Sequence, residues 1–334
     1  MVNGNKPDEP LLRVEDLRTH FYTRTGVVKA VDGISFDLYP GETLGIVGES
    51  GSGKSMTAWS ILGLVPKPAG RIVGGRVLYK GQNLLETSAS DMRQVRGSGI
   101  CMVMQDPLTS LNPVFTIGNQ LIESLRMEFK GPTAKLREMA ADLLATVSIP
   151  SPETRLNAFP HELSGGMRQR VVGAIAISRS PDVLIADEPT TSLDATVQLQ
   201  YLKLLKKIQE NTGTAIIFIT HDLGIVARMC DRVAVMYAGR FVEQADVIRL
   251  FDSPSHPYTQ ALMRSVPDLD EDVGRLPSIE GQPPSLDDLP SGCAFAPRCE
   301  YAFDKCEVYP PRFAIANGHT SRCWRHSGEH PVTD

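Results

Sequence analysis

The sequence predicts an α/β protein: a mixed sheet core with an antiparallel β subdomain and a helical insertion, plus a small cysteine-containing C-terminal module. Three observations carry this. ETLGIVG (42–48) is a buried-type strand that runs into a glycine-rich loop and then into the helix-like KSMTAWSILGLV. Beyond residue 163, apolar strands alternate with helices, the pattern of a parallel sheet covered on both faces. Four of the six cysteines fall after residue 290, in a stretch rich in Pro, Gly and Ser.

The elements follow in order. LLRVEDL and VVKAVDGISFDLYP, within residues 11–40, show near period-two alternation and read as strands. After the glycine loop and its helix, GRVLYKG and SGICMVMQ (98–105) are further strands. Residues 106–163 change character: NQLIESLRMEF and AKLREMAADLLATV are amphipathic at helical spacing, which marks a helical insertion. A helix opened by Gly165-Gly166 comes next, then the strand DVLIADE, the helix ATVQLQYLKLLKKIQE and the strand TAIIFITH. DRVAVMYAGRFVE is a hairpin turning at Ala238-Gly239. From about residue 255, SPSHPYTQ and GQPPSLDDLPSG read as linker leading to the C-terminal module. No internal repeat is visible.

At 334 residues the chain suits one large domain with an extension. Its 42% hydrophobic content can build a sizeable core, and a net charge of −5 gives no basic footprint for nucleic acid. The opening MVNGNKPDEP lacks the basic and apolar regions of a signal peptide. AIIFI (215–219) is strand-sized, and no apolar run reaches the roughly 18 residues of a membrane span. The expectation is a cytoplasmic protein that meets a membrane through partners.

Gly48, Glu49, Ser50, Gly51, Ser52, Gly53, Lys54 and Ser55 fit the phosphate-loop pattern G-x-x-x-x-G-K-[ST], between a strand and a helix as that chemistry requires. Glycines let successive N–H groups turn inward around phosphate oxygens, and the helix adds its positive end. Lys54 can neutralise β/γ-phosphate charge, and the Ser55 hydroxyl can ligate Mg2+. Asp187 and Glu188 close an apolar strand, where open parallel sheets bind ligands. Asp187 suits the outer sphere of Mg2+ and Glu188 the general base for water attack; the plainer reading is a pair of carboxylates capping a surface strand. His221 ends another strand, placed to hydrogen-bond a phosphate oxygen, whereas a lone histidine is more often structural.

At LSGGMRQR (163–170), together with the phosphate loop, Gln105, Asp187-Glu188 and His221 in this order, the chain resembles the ABC ATPases. QDPLTSLNP (105–113) and SHPYTQAL (255–262) resemble the oligopeptide/dipeptide/nickel importer branch, and the D-type ATPases of that branch above all. The resemblance implies an ATPase domain at 11–255, with the helical subdomain about 106–163, after a tail at 1–10. It also implies a C-terminal extension at 256–334. Two ATPase chains would pack head to tail, each closing ATP under its partner's signature residues Leu163, Ser164, Gly165, Gly166 and Met167, where Met167 replaces the usual glutamine. Gln105 would touch Mg2+ and relay nucleotide state; Ser192, Leu193 and Asp194 would line the seam. Met56 would complete the ATP-binding stretch. Phe21 matches the aromatic that stacks on adenine, with Tyr22 as the alternative and core packing as the plain reading.

The implied partners are a related F-type ATPase chain, two transmembrane permease subunits and, indirectly, an extracytoplasmic peptide-binding protein, at the cytoplasmic face of the membrane. The implied function is ATP hydrolysis powering peptide import; nickel import and a nucleic-acid-linked ATPase are the alternatives. Cys293, Cys299, Cys306 and Cys323 are spaced C-x5-C-x6-C-x16-C, without the C-x2-C knuckles of a readable zinc site. Four thiolates suit Zn2+ or an iron–sulfur cluster about equally. The resemblance of CxFxPRC to importer extensions, some of which carry [4Fe-4S], favours the cluster, with zinc and unoccupied or disulfide-bonded thiols as alternatives. Arg298, beside Cys299, would tune cluster charge or face water. Cys101 and Cys230 read as small core hydrophobes.

Overall fold

The computed structural model describes residues 9–104, 110–191, 193–265 and 279–328. In chain order its principal elements are β1 (Leu12–Tyr22), β2 (Val27–Leu38), β3 (Thr43–Val47), α1 (Lys54–Ile61), β4 (Gly70–Tyr79) and β5 (Gln82–Asn83). Then come α2 (Ala89–Gln94), β6 (Ile100–Val103), α3 (Ile117–Arg126), α4 (Thr133–Thr146), α5 (Pro152–Arg155) and α6 (Gly165–Ile177). They are followed by β7 (Val183–Asp187), α7 (Ala195–Thr212), β8 (Ala215–Thr220), α8 (Leu223–Met229), β9 (Arg232–Tyr237) and β10 (Arg240–Asp246). The last are α9 (Val247–Asp252), α10 (Pro257–Arg264), β11 (Phe313–Ala316) and β12 (His319–Ser321). These form two compact units, one drawn from Tyr39–Glu42 and Thr87–Phe218, the other from Asp8–Leu38, Thr43–Glu86 and Ile219–Asp334.

In the unit holding residues 87–218, β7 lies between β6 and β8 and runs parallel to β6, with Cys101 opposite Leu184. Every residue of β7 is buried, as its unbroken apolar run requires. The helical insertion is present: α3 buries Ile117, Leu121, Ile122 and Leu125, and α4 buries Leu136, Ala140 and Leu144, each a single stripe at helical spacing. The Thr116 side chain caps α3 by accepting from the Asn119 N–H at 3.3 Å. Residues 105–109 of the QDPLTSLNP motif lie outside the described residues.

The other unit carries the antiparallel subdomain, a four-stranded sheet in the order β2-β1-β4-β5. It also holds the strands β11-β12-β10-β9-β3, antiparallel except that β3 runs parallel to β9, with Ile46 opposite Ala234. Gly45 of β3 sits where a Cβ would lie 2.8 Å from the Cys230 sulfur, so Cys230 is the buried packing residue its sequence context indicates.

Two parts of the C-terminal stretch differ from the linker expected there. Pro257–Arg264 is a helix: Pro257 starts it with φ already helical, and His256 caps it, Nδ1 accepting from the Tyr258 N–H at 3.1 Å. Its Tyr258 is fully buried. The short β12 pairs with β10, Glu243 opposite Ser321, too brief a strand for alternation to reveal. The buried Glu243 carboxylate accepts from the Ser255 N–H (2.7 Å), from the His256 N–H (2.8 Å) and meets His319 Nε2 at 2.8 Å. One side chain thus ties α10 and β12 to β10.

His256 is buried, with its ring proton on Nε2 because Nδ1 accepts. Burial, more than the neighbouring His326, pushes its imidazole down to about 3 from the ordinary 6.5. The folded value lies below the unfolded one, so this contribution to stability is complete above pH 6.5 and is lost as pH falls towards 3. Between pH 7.5 and 5.5 the folded state is expected to lose about 1.4 kcal/mol from this group, read as a lower urea midpoint. His256→Asn should flatten that stretch of the stability curve; an unchanged slope removes His256 as its source.

Candidate functional site

The phosphate-loop residues occupy the turn between β3 and α1. β3 is wholly buried and anchored on β9, which fixes where the loop begins. Two glycines lie against backbone: a Cβ on Gly48 would fall 2.1 Å from the Met236 carbonyl oxygen, and one on Gly53 would fall 2.2 Å from that of Ala30. Gly53 also holds φ 106 as the residue before α1. Only hydrogen fits at both places. The Gly239 N–H donates to the Ser52 carbonyl at 2.8 Å, which pins the loop from the β9–β10 turn.

Lys54 is buried, and its Nζ donates to the carbonyls of Gly48 (2.8 Å) and Glu49 (2.9 Å), curling the loop around the ammonium. Ser55 is exposed in the first turn of α1, which has no acidic side chain to offset the positive helix end. Phe21 is half-buried at the end of β1, its ring 2.8 Å from where a Cβ on Gly70 would lie, while Tyr22 is 47% exposed under the Arg71 guanidinium. Phe21 therefore has a packing partner, and Tyr22 is the more exposed ring, with Arg71 over one face. His221 is exposed just past β8, and the following Asp222 caps α8 by accepting from the Gly224 and Ile225 N–H groups.

In the other unit Asp187 is buried at the end of β7. Glu188 follows with φ 45, a left-handed conformation that a non-glycine residue adopts only when its surroundings hold it. Its Oε2 accepts from the Thr191 hydroxyl at 3.0 Å. The signature residues open α6. Ser164 is the cap, its Oγ accepting from the Met167 N–H at 3.3 Å, and Leu163 is buried beneath it. Gly165 faces open space, so the N–H groups at the start of α6 are approachable by an anion. Gly166 faces the other way: a Cβ there would lie 2.6 Å from Val197 of α7. Asp194 caps α7, its Oδ1 accepting from the N–H groups of Thr196 (3.1 Å) and Val197 (3.0 Å), a local role that Asp commonly takes before a helix. Leu193 is half-buried; Gln105 and Ser192 lie outside the described residues.

The four C-terminal cysteines line one small cavity with His256, Phe295, Tyr301 and Trp324. Burial pushes Cys293 up to about 11 and Cys323 up to about 12, and raises Cys299 as well. Cys293, Cys299, Cys306 and Cys323, the four residues expected to ligate [4Fe-4S], thus share one cavity. Their cavity is about 10 Å³, room for about one water. Among the described residues no group of three or more His, Cys, Asp or Glu is arranged to hold a metal ion.

Arg298 does not face water. Its side chain is 4% exposed and forms a bidentate pair with Glu49 of the phosphate loop, Nη1 to Oε2 at 2.8 Å and Nη2 to Oε1 at 3.1 Å. The Tyr258 hydroxyl accepts the Glu49 N–H at 2.9 Å. Neither residue was marked by sequence reasoning as part of the loop's surroundings, since more than 200 positions separate them from Glu49.

A family model described as ABC transporter matches residues 31–191, and one described as oligopeptide/dipeptide transporter, C-terminal region, matches residues 242–306. The dipeptide transport ATP-binding protein DppD of Bacillus subtilis is 48% identical over 95% of this chain and 95% of its own length. The oligopeptide transport ATP-binding protein OppD of the same organism is 49% identical over 94% of this chain and 88% of its own length. Among solved structures, the dimeric ATP-binding cassette MJ0796, bound to ADP and Pi, shares the fold with a TM-score of 0.64 over 71% of this chain and 98% of its own, at 24% identity.

The loop glycines separate by what surrounds them. Gly48→Ala must displace the β9 backbone and is expected to lower stability by about 3 kcal/mol. At Gly51, which has φ 77 and nothing within 4 Å, alanine meets conformational strain alone, about 1 kcal/mol. Chemical denaturation of both variants checks this, and equal losses would refute the backbone-contact account.

Proposed function

From the premise that this chain belongs to the family of peptide ABC transporter ATP-binding proteins, we propose that it binds and hydrolyses ATP to power peptide uptake through membrane-spanning partner subunits. The observation that carries the reading is the loop curled around buried Lys54 at the start of a helix with no acidic first turn. No described helix is long and apolar enough to cross a membrane, which agrees with a peripheral place on a membrane complex. Oligopeptides or dipeptides are the favoured cargo, with nickel the alternative.

In this reading the loop N–H groups and Lys54 bind and orient the phosphates, so that catalysis comes from positioning and charge stabilisation. Ser55, Gln105 and Asp187 would hold Mg2+, which neutralises phosphate charge when bound. The Glu188 carboxylate accepts the proton of the attacking water, and its strained backbone keeps it aimed. His221 donates a hydrogen bond to the terminal phosphate. A second, F-type chain supplies the opposing Ser164, Gly165 and Gly166 equivalents, while Ser192, Leu193 and Asp194 line the seam. Phe21 or Tyr22 carries the adenine. The ATPase part spans 11–255, and 256–334 is its extension. At the four cysteines, the soft donor set is what supports a metal centre as a finer reading; the cavity would have to widen, so no step of hydrolysis runs through it.

Glu188→Gln in the assembled complex is expected to slow hydrolysis by about 10²–10⁴-fold while ATP binding persists. Wild-type turnover in that variant would remove Glu188 as the base. For the finer reading, iron or zinc at one centre per chain in anaerobically purified protein is the expected result; neither metal present would dismiss it.

A further inference from the structure

We propose that Arg298 is a positioning residue for the phosphate loop, so that ATP affinity depends on the C-terminal extension as well as on the loop itself. The proposal rests on the ATPase reading above.

Glu49 puts a carboxylate in a loop whose task is to attract phosphate. Unopposed, that charge would repel the polyanion and weaken binding. Arg298 opposes it with a bidentate fork, the geometry at which guanidinium is most effective. The remaining donors of the guanidinium are placed as well: Nη1 also reaches the Tyr237 hydroxyl (3.2 Å), Nη2 the Ile279 carbonyl (3.3 Å) and Nε the Glu280 carbonyl (2.9 Å). All five N–H donors therefore have acceptors, and the side chain is nearly sealed from water. A surface ion pair of convenience does not look like this.

The support around the fork is equally built. Tyr237, Tyr258 and Phe295 form one aromatic cluster, with centroids 4.5 Å apart for the tyrosines and 5.4 Å from each to Phe295. The Arg298 guanidinium stands 5.9 Å from the Tyr237 and Phe295 rings. Tyr258 takes the Glu49 N–H, so the extension holds both the backbone and the side chain of one loop residue. Lys54 in turn donates to the carbonyls of Gly48 and Glu49. Moving Glu49 moves the acceptors that set the lysine's place. Arg298 thus acts on phosphate binding through Glu49 and Lys54 without needing to touch the nucleotide.

Steady-state ATP hydrolysis by the assembled complex tests this with Arg298→Gln, Arg298→Lys, Glu49→Gln and the double variant Glu49→Gln/Arg298→Gln. Arg298→Gln should raise KM for ATP about tenfold with kcat within about twofold of wild type, and Arg298→Lys should fall between. Adding salt should narrow the Arg298→Gln difference, since the repulsion left behind is electrostatic. The double variant should bind ATP better than Arg298→Gln alone, because no carboxylate then stands uncompensated. Thermal melting of each purified full-length variant separates folding from binding. A lowered melting temperature with unchanged KM, or a double variant no better than Arg298→Gln, would overturn the proposal. If wild type itself hydrolysed no ATP and resembled Lys54→Ala, the ATPase reading would fail instead.

Discussion

The phosphate loop of this protein is held by backbone meeting backbone. At Gly48 and Gly53 the carbonyls of Met236 and Ala30 stand so near that no side chain can enter. Those carbonyls belong to β9 and β2, so the loop is clasped between strands of its own unit and cannot drift from them. Packing at this density leaves little slack. The curl around Lys54, the start of α1 and the reach of Glu49 towards its partners all follow from that clasp.

A second layer of constraint runs through buried polar groups. Glu243 gathers the Ser255 and His256 N–H groups and His319, and His256 caps the helix that carries Tyr258. Tyr258 and Arg298 then close on Glu49. Each link is a donor–acceptor pair among buried or half-buried groups, where leaving a member unpaired is costly. The extension is thereby a working neighbour of the phosphate loop, where its Pro- and Gly-rich composition suggests only a tether. In the other unit, the strained backbone at Glu188 and the divided duties of Gly165 and Gly166 show the same economy. One glycine leaves space for an anion, and the next lets α7 approach α6.

Much of this was legible in the residues. The loop at 48–55, the buried strands β3, β7 and β8, the amphipathic insertion and the hairpin at Ala238-Gly239 announce themselves, because glycine punctuation and apolar periodicity are local properties. Less legible was α10, whose cap is a histidine, a residue outside the usual capping set. β12 was hidden by its three-residue length. The cysteine spacing left zinc and an iron–sulfur cluster about level; that the four thiols share one small cavity is a fact of packing that no spacing encodes.

By itself, then, the order of residues determined most of the strands and helices, and it marked the loop and the carboxylates that the ATPase reading uses. It could do so because those signals are carried by neighbours a few positions apart. Tertiary structure alone decided the partners of charge: that Arg298 answers Glu49, that Glu243 meets His319, that Tyr258 takes a loop N–H. Such pairings join positions dozens to hundreds of residues apart. Only the folded packing settles which of many complementary groups share a dry interior.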